Sequence, residues 1–194
     1  MKNNIVLAGV GGQGILSIAT VIGLAAVNKN LYIKQAEVHG MSQRGGAVYS
    51  HVRLSDSPIA SDLIPLGKAD LVLSVEPMEA LRYVPYMKPD GWLVTNTQPF
   101  VNISNYPDQQ SIVEQLNAIK NHVLLDADAL ATQCGSIKAS NMVMLGAAIP
   151  FINFELDELE KAIVSIFERK GDDTVAVNVR ALQTGYETAM KEKK

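Results

Sequence analysis

The sequence predicts an α/β fold, a Rossmann-like three-layer sandwich on a mostly parallel sheet, and two observations carry that prediction. Apolar runs of strand length alternate with segments of helical period over the first two thirds of the chain. The first run also ends at glycines that open directly into the first helical pattern, the strand–turn–helix arrangement of open parallel sheets. With 194 residues, 47% apolar and 19% charged, the chain can bury a substantial core, and one domain over residues 1–194 is expected.

"NNIVLAG" (3–9) is an apolar run ending in glycine, as a strand buried on both faces requires. Residues 12–28 turn helical, with Ile15, Ile18, Ala19, Ile22, Ala25 and Ala26 sharing a face. "LYIKQAEV" (31–38) reads as a second strand. "AVYSHVRL" (47–54) reads as a third, Val48, Ser50 and Val52 alternating with Tyr49, His51 and Arg53. A fourth strand covers 70–75, and Pro77 opens a helix through Tyr83, in the first-turn position that tolerates proline. "GWLVTNT" follows a turn at Pro89, Asp90 and Gly91. Ser111 is expected to cap a helix reaching Asn121, followed by the strand "HVLLDAD" (122–128). The last third reads as helices over 141–148, 156–169 and 173–191. Tyr83, Tyr86 and Met87 belong either to an interface or to the core, and Trp92 reads as core.

A formal charge of −3 offers no attraction to nucleic acid or to an anionic membrane. No apolar run is long enough to span a bilayer, and the first nine residues lack a signal-peptide layout, so a cytoplasmic protein is expected. The single cysteine, Cys134, excludes an intramolecular disulfide, and an iron–sulfur cluster needs about four thiolates. His39, His51 and His122 have no metal-ligand spacing, so no metal is expected on this chain.

Two glycine-bearing stretches stand out. "GVGGQG" matches G-x-G-x-x-G through Gly9, Gly11 and Gly14, which predicts a tight turn, a close approach for an anion and close helix–strand packing. Gly11, Gly12, Gln13 and Gly14 would form the backbone cradle. Glu37, roughly where a dinucleotide site places its ribose-binding acid, keeps an NAD reading open. A tight turn that binds nothing is the plainer alternative.

The second stretch, "EVHGMSQRGG" (37–46), follows a strand at the same end of the sheet. Gly40, Gly45 and Gly46 give backbone freedom. His39, Ser42, Gln43 and Arg44 supply donors, and a guanidinium can grip a carboxylate or phosphate with two prongs. A polar hairpin with glycines in its turns is the alternative.

"GVGGQGI", "EVHGMSQRGG", "SDLIPLGKADLVLSVEPMEALR" and "KASNMVMLGAA" together closely resemble the gamma-type domain of the 2-oxoacid:ferredoxin oxidoreductases, from Ile5 to about Ala189. Within the family the likeness leans to the indolepyruvate branch. The resemblance implies CoA-dependent oxidative decarboxylation of an aryl pyruvate with ferredoxin as electron acceptor. It also implies thiamine diphosphate and iron–sulfur (4Fe-4S) clusters, cofactors that do the difficult chemistry. One cysteine cannot hold a cluster, and "GDD" at 171–173 departs from a thiamine-type GDG. Both groups are therefore expected on a larger alpha subunit, with this chain inactive alone and completing a shared site.

On that reading His39, Arg44 and Glu37 are the candidate catalytic residues. Gly9, Gly11, Gly12, Gln13, Gly14, Ser42, Gln43 and Gly45 are the candidates for binding substrate or coenzyme A. His39 either shuttles a proton near neutral pH or only bonds the loop together. Glu37 either does acid–base work or pairs with Arg44, and Asn141 reads as a helix cap. An NAD-dependent dehydrogenase and a nucleotide-binding regulatory module are the competing functions.

Overall fold

A computed structural model describes residues 1–40, 45–101 and 103–193. Six strands, β1 (Lys2–Val10), β2 (Tyr32–His39), β3 (Ala47–Ser55), β4 (Ala69–Ser74), β5 (Met87–Asn96) and β6 (His122–Leu125), form a sheet in the order β2-β3-β1-β4-β5-β6. The helices are α1 (Ile15–Asn28), α2 (Pro77–Tyr83), α3 (Gln109–Asn117), α4 (Ala127–Gln133), α5 (Ser140–Ala148), α6 (Leu156–Phe167) and α7 (Asp172–Glu192).

The pairs β1–β4, β4–β5 and β5–β6 are parallel, and β3 alone runs against its neighbours β1 and β2. The short connection from β2 to β3 forces this, since parallel neighbours need a crossover. Strand β1 is buried on both faces. Ile5 and Leu7 join a core under α1, α5, α6 and α7, while Val6 and Ala8 join a second core with Ala80, Ile112 and Leu116 of α2 and α3. Because α1 leaves β1 on one face and α2 leaves β4 on the other, a crevice opens at the carboxyl ends of these two strands.

Every residue of α5 from Asn141 to Ala148 is buried, as expected of a helix that is apolar all round. It crosses α7 at backbone contact. A β-carbon on Gly146 would lie 1.9 Å from the Leu182 carbonyl oxygen, and one on Gly185 would lie 1.9 Å from that of Val143.

Several expected boundaries shift for identifiable reasons. Helix α1 begins at Ile15 because Gly12 and Gly14 hold positive φ, 103° and 82°, which ends any helix reaching back to Gly12. Asp108, not Ser111, caps α3: its carboxylate accepts the Ser111 N–H at 3.0 Å, and the helix stops at Asn117. Strand β6 ends at Leu125 because Asp126 caps α4, accepting the Ala129 N–H at 2.9 Å. Pro89, Asp90 and Gly91 lie inside β5 as an irregularity, where the register jumps from Ala69 opposite Met87 to Leu71 opposite Trp92. Tyr83, Tyr86 and Met87 pack into the core beneath α2, and Trp92 stacks on Phe151 with ring centroids 4.3 Å apart.

Candidate functional site

The two glycine turns lie side by side at the carboxyl ends of β1 and β2. Gly9 and His39 both face Val48 across β3, so the strands that carry the turns finish level with one another. The Gly11 N–H donates to the Gly46 carbonyl at 2.9 Å, and the Gly45 N–H returns to the Gly11 carbonyl at 3.4 Å. The Gly40 N–H closes the base of the hairpin on the Ala47 carbonyl at 2.9 Å. Ser42, Gln43 and Arg44 lie outside the described residues.

Side chains brace the first turn from within. The Gln13 Oε1 accepts the Val10 N–H at 2.8 Å, and its Nε2 reaches the Val75 carbonyl at 3.3 Å, tying the turn to the end of β4. Gln13 is thus a strut, and its own N–H is taken by the Val10 carbonyl. Gly9 lies in β1 and serves close packing instead of a turn, since a β-carbon there would sit 2.4 Å from Val75 Cγ2. Gly14 is left-handed and accepts the Ser17 and Ile18 N–H groups and the Asn141 Nδ2 at 3.2 Å. Asn141 is therefore a latch between α5 and the glycine turn, not a cap; Ala139 occupies the cap position.

Among the described residues no side chain caps α1, and no acid stands in its first turn. The amides of Gly12, Gly14, Ile15 and Leu16 meet no acceptor among the described residues. A positive helix end with unused N–H groups suits a carboxylate or a phosphate.

Cavities flank the turn on both sides. One of about 650 Å³ lies between the two turns, with Val10, Ile15, Leu16 and Val48 as apolar walls and Gly12, Gly14, His39 and Gly40 among its lining. The other, about 970 Å³, opens beyond the glycine turn toward α4, α5 and α7, and holds Ser17, Asn96, Asp128, Lys138, Asn141 and Lys170. Burial pushes the Asp128 carboxyl above its ordinary value and Asp126 adds to that, while hydrogen bonds with Ser140 and Asn96 oppose it.

At the hairpin, His39 Nε2 stands 2.6 Å from Glu37 Oε1, and Gln35 Nε2 reaches the other carboxylate oxygen at 3.4 Å. The Glu37 side chain is largely shielded, at 16% exposure, whereas the His39 side chain is 57% exposed. The two groups approach closely without hydrogen-bond geometry, and Glu37 Oε1 is buried without a hydrogen-bond partner among the described residues. Opposite Glu37, the Ser50 hydroxyl is buried without a hydrogen-bond partner among the described residues.

This geometry does not favour the NAD reading. A dinucleotide fold sets its ribose-binding acid on the strand beside the glycine strand. Here antiparallel β3 lies between β1 and β2, which moves Glu37 about 5 Å further out. The Gly11 amide is also already spent on Gly46.

Cys134 is buried, with its Sγ 3.3 Å from Thr184 Oγ1, and among the described residues no group of three or more His, Cys, Asp or Glu could hold a metal. The donor set of this chain does not fit an iron–sulfur cluster. No helix among the described residues is long and apolar enough to cross a membrane.

Three polar residues at the carboxyl ends of strands were not singled out from the sequence. Asn96 accepts the Gln98 and Ala127 N–H groups at 3.2 and 3.0 Å, Asp128 lines the larger cavity, and fully buried Glu76 caps α2. The signal was present in "TNT", "LDAD" and "SVEP": polar residues closing strands at the ligand end of the sheet.

Residues 4–188 match the family described as pyruvate ferredoxin/flavodoxin oxidoreductase. The chain is 38% identical to indolepyruvate oxidoreductase subunit IorB of Thermococcus kodakarensis, over 96% of this chain and 95% of that protein. It is 35% identical to the subunit of the same name from Archaeoglobus fulgidus, over 98% and 96%. The fold resembles that of a 2-oxoglutarate:ferredoxin oxidoreductase from Magnetococcus marinus solved with 2-oxoglutarate, coenzyme A and succinyl-CoA bound, with TM-score 0.77 and 22% identity. That match covers 98% of this chain and 31% of the other. A keto/oxoacid ferredoxin oxidoreductase gamma subunit from Geobacter sulfurreducens matches with TM-score 0.74 and 24% identity, over 97% and 99%. The matched span and the near-full-length kinship lead to one conclusion: the chain belongs to the pyruvate ferredoxin/flavodoxin oxidoreductase family.

Proposed function

We propose that this chain is the small subunit of a ferredoxin-dependent 2-oxo acid oxidoreductase that acts on indolepyruvate or another aryl pyruvate and makes an acyl-coenzyme A. The observation that carries this reading is the lacing of Gly11 to Gly45 and Gly46, which fixes two donor-rich turns as one wall beside open cavities. The names of the relatives support the substrate class.

The chain's own residues bind and orient. The N-terminal end of α1, with the amides of Gly12, Gly14, Ile15 and Leu16, receives an anionic group, either the substrate carboxylate or a phosphate of coenzyme A. The apolar walls of the smaller cavity exclude water from that contact. His39 stands with its Nε2 against Glu37 and adds a polar ring to the hairpin, and Ser42, Gln43 and Arg44 supply further donors in the same stretch of the sequence. Thiamine diphosphate and the iron–sulfur clusters belong to a larger partner subunit, through which electrons reach ferredoxin in the cytoplasm.

Reconstitution tests the reading. The purified chain gives no turnover, and adding the larger subunit yields dye reduction that requires both indolepyruvate and coenzyme A. Heat of NAD binding to the isolated chain in calorimetry, or absence of 2-oxo acid turnover by the assembled pair, would overturn it.

A further inference from the structure

The segment joining β5 to α3 carries the most concentrated exposed apolar surface at the site end of the sheet. Phe100, Val101 and Ile103 are 42%, 69% and 42% exposed. From Thr97 to Pro107, "TQPFVNISNYP", there is no charged residue, in a chain that is 19% charged. Charge depletion with aromatic and aliphatic side chains marks the core of a protein interface.

Residues on both sides of the tip are tied to the fold. The Thr97 N–H donates to the Leu125 carbonyl at 2.9 Å, and Gln98 Nε2 to Asp126 Oδ2 at 2.7 Å. Fully buried Glu76 then receives the segment twice, accepting the Phe100 N–H at 3.4 Å and the Tyr106 hydroxyl. Burying that carboxylate is costly unless its donors stay in place, so the anchor keeps the apolar tip presented outward.

Its position says what it meets. Phe100 lines the larger cavity together with Gly12 and Gly14, and Ile137, 57% exposed, lines it from the α4–α5 connection. The tip is thus continuous with the wall formed by the glycine turn. Resting on the function proposed above, we infer that Phe100, Val101 and Ile103 form an anchored docking tip, which inserts into an uncharged apolar groove on the larger, thiamine diphosphate-bearing subunit and closes the cavity beside the glycine turn.

The test measures the dissociation constant between the full chain and the purified larger subunit by calorimetry. Val101→Asp places a charge at the most exposed position and should weaken assembly by at least about 30-fold, the scale of an interface hot spot, with the chain's own melting temperature unchanged. Val101→Ser, a milder change, should weaken it less, and Val27→Asp, at the far end of α1, should leave it within about 3-fold of wild type. Assembly of Val101→Asp and Val101→Ser at wild-type affinity overturns the docking tip while leaving the subunit reading intact. Failure of the wild-type chain to bind the larger subunit overturns the subunit reading itself. Loss of a self-dimer as the sole effect of Val101→Asp would assign the tip to a second copy and also overturn the proposal.

Discussion

Replacing Gly14 with alanine probes the joint between the glycine turn and α5. Two costs can be worked from the geometry. The residue holds φ of 82°, and a left-handed conformation costs an L-residue about 1–2 kcal/mol. The new β-carbon would lie 2.5 Å from Asn141 Nδ2, so the amide must leave and its bond to the Gly14 carbonyl is lost, about 1 kcal/mol more. The sum, about 2–3 kcal/mol, corresponds to a fall in melting temperature of about 5–10 °C for a chain of this length. Asn141→Ala alone should cost about 1 kcal/mol, because the Gly14 carbonyl keeps the Ser17 and Ile18 amides. The double variant should then be no less stable than Gly14→Ala, a coupling of about 1 kcal/mol in a urea double-mutant cycle. Additive single effects would refute the latch. Gly12→Ala serves as the control, since it too has positive φ, 103°, but nothing lies within 4 Å of its β-carbon.

Other positions give independent checks. His51 Nδ1 accepts the Ile64 N–H at 3.0 Å, so the ring is held neutral; burial, then Arg53, lower its pKa from the ordinary 6.5, with Asp62 opposing. A depressed folded pKa contributes stability that is complete above pH 6.5 and lost as pH falls through the folded value, at no more than about 1.4 kcal/mol per pH unit. Thermal melts from pH 7.5 down to pH 5 should therefore flatten in His51→Gln, whose amide oxygen can still accept from Ile64; an unchanged slope would rule out His51 as the source. Gly146→Ala should destabilise by about 3 kcal/mol because its β-carbon meets the Leu182 carbonyl. Gly23→Ala in α1, whose nearest contact is Ile33 Cδ1 at 3.5 Å, should instead stabilise by roughly 0.5–1 kcal/mol. Chemical denaturation reporting the same sign for both would contradict the packing described.

The sequence made the strands and their order along the chain readable because β1, β3 and β4 carry runs or alternations that only one period fits. It did not reveal that β3 inserts between β2 and β1, since strand order depends on long-range pairing that no local pattern records. The Pro89–Gly91 stretch reads as a turn by composition, yet β4 holds it in the sheet through an irregular register. Helix α4 was masked by the apolar "VLL" before it, although Asp126 is a good cap. At the site, both glycine turns were legible as motifs. Their lacing was not, and neither was the inward turn of Gln13, which reads as a ligand donor until Val75 is seen beside it. Asn141 reads as a helix cap from its local sequence, because its actual partner Gly14 is 127 residues away.

The most direct measurement is turnover of the assembled complex carrying Arg44→Ala, with the subunit dissociation constant determined on the same preparation. If the hairpin turn laced to Gly11 faces the reacting centre, kcat/KM for indolepyruvate falls by about 10–100-fold, the worth of one charge-assisted contact, while assembly is unchanged. Wild-type turnover with intact assembly would contradict the shared wall.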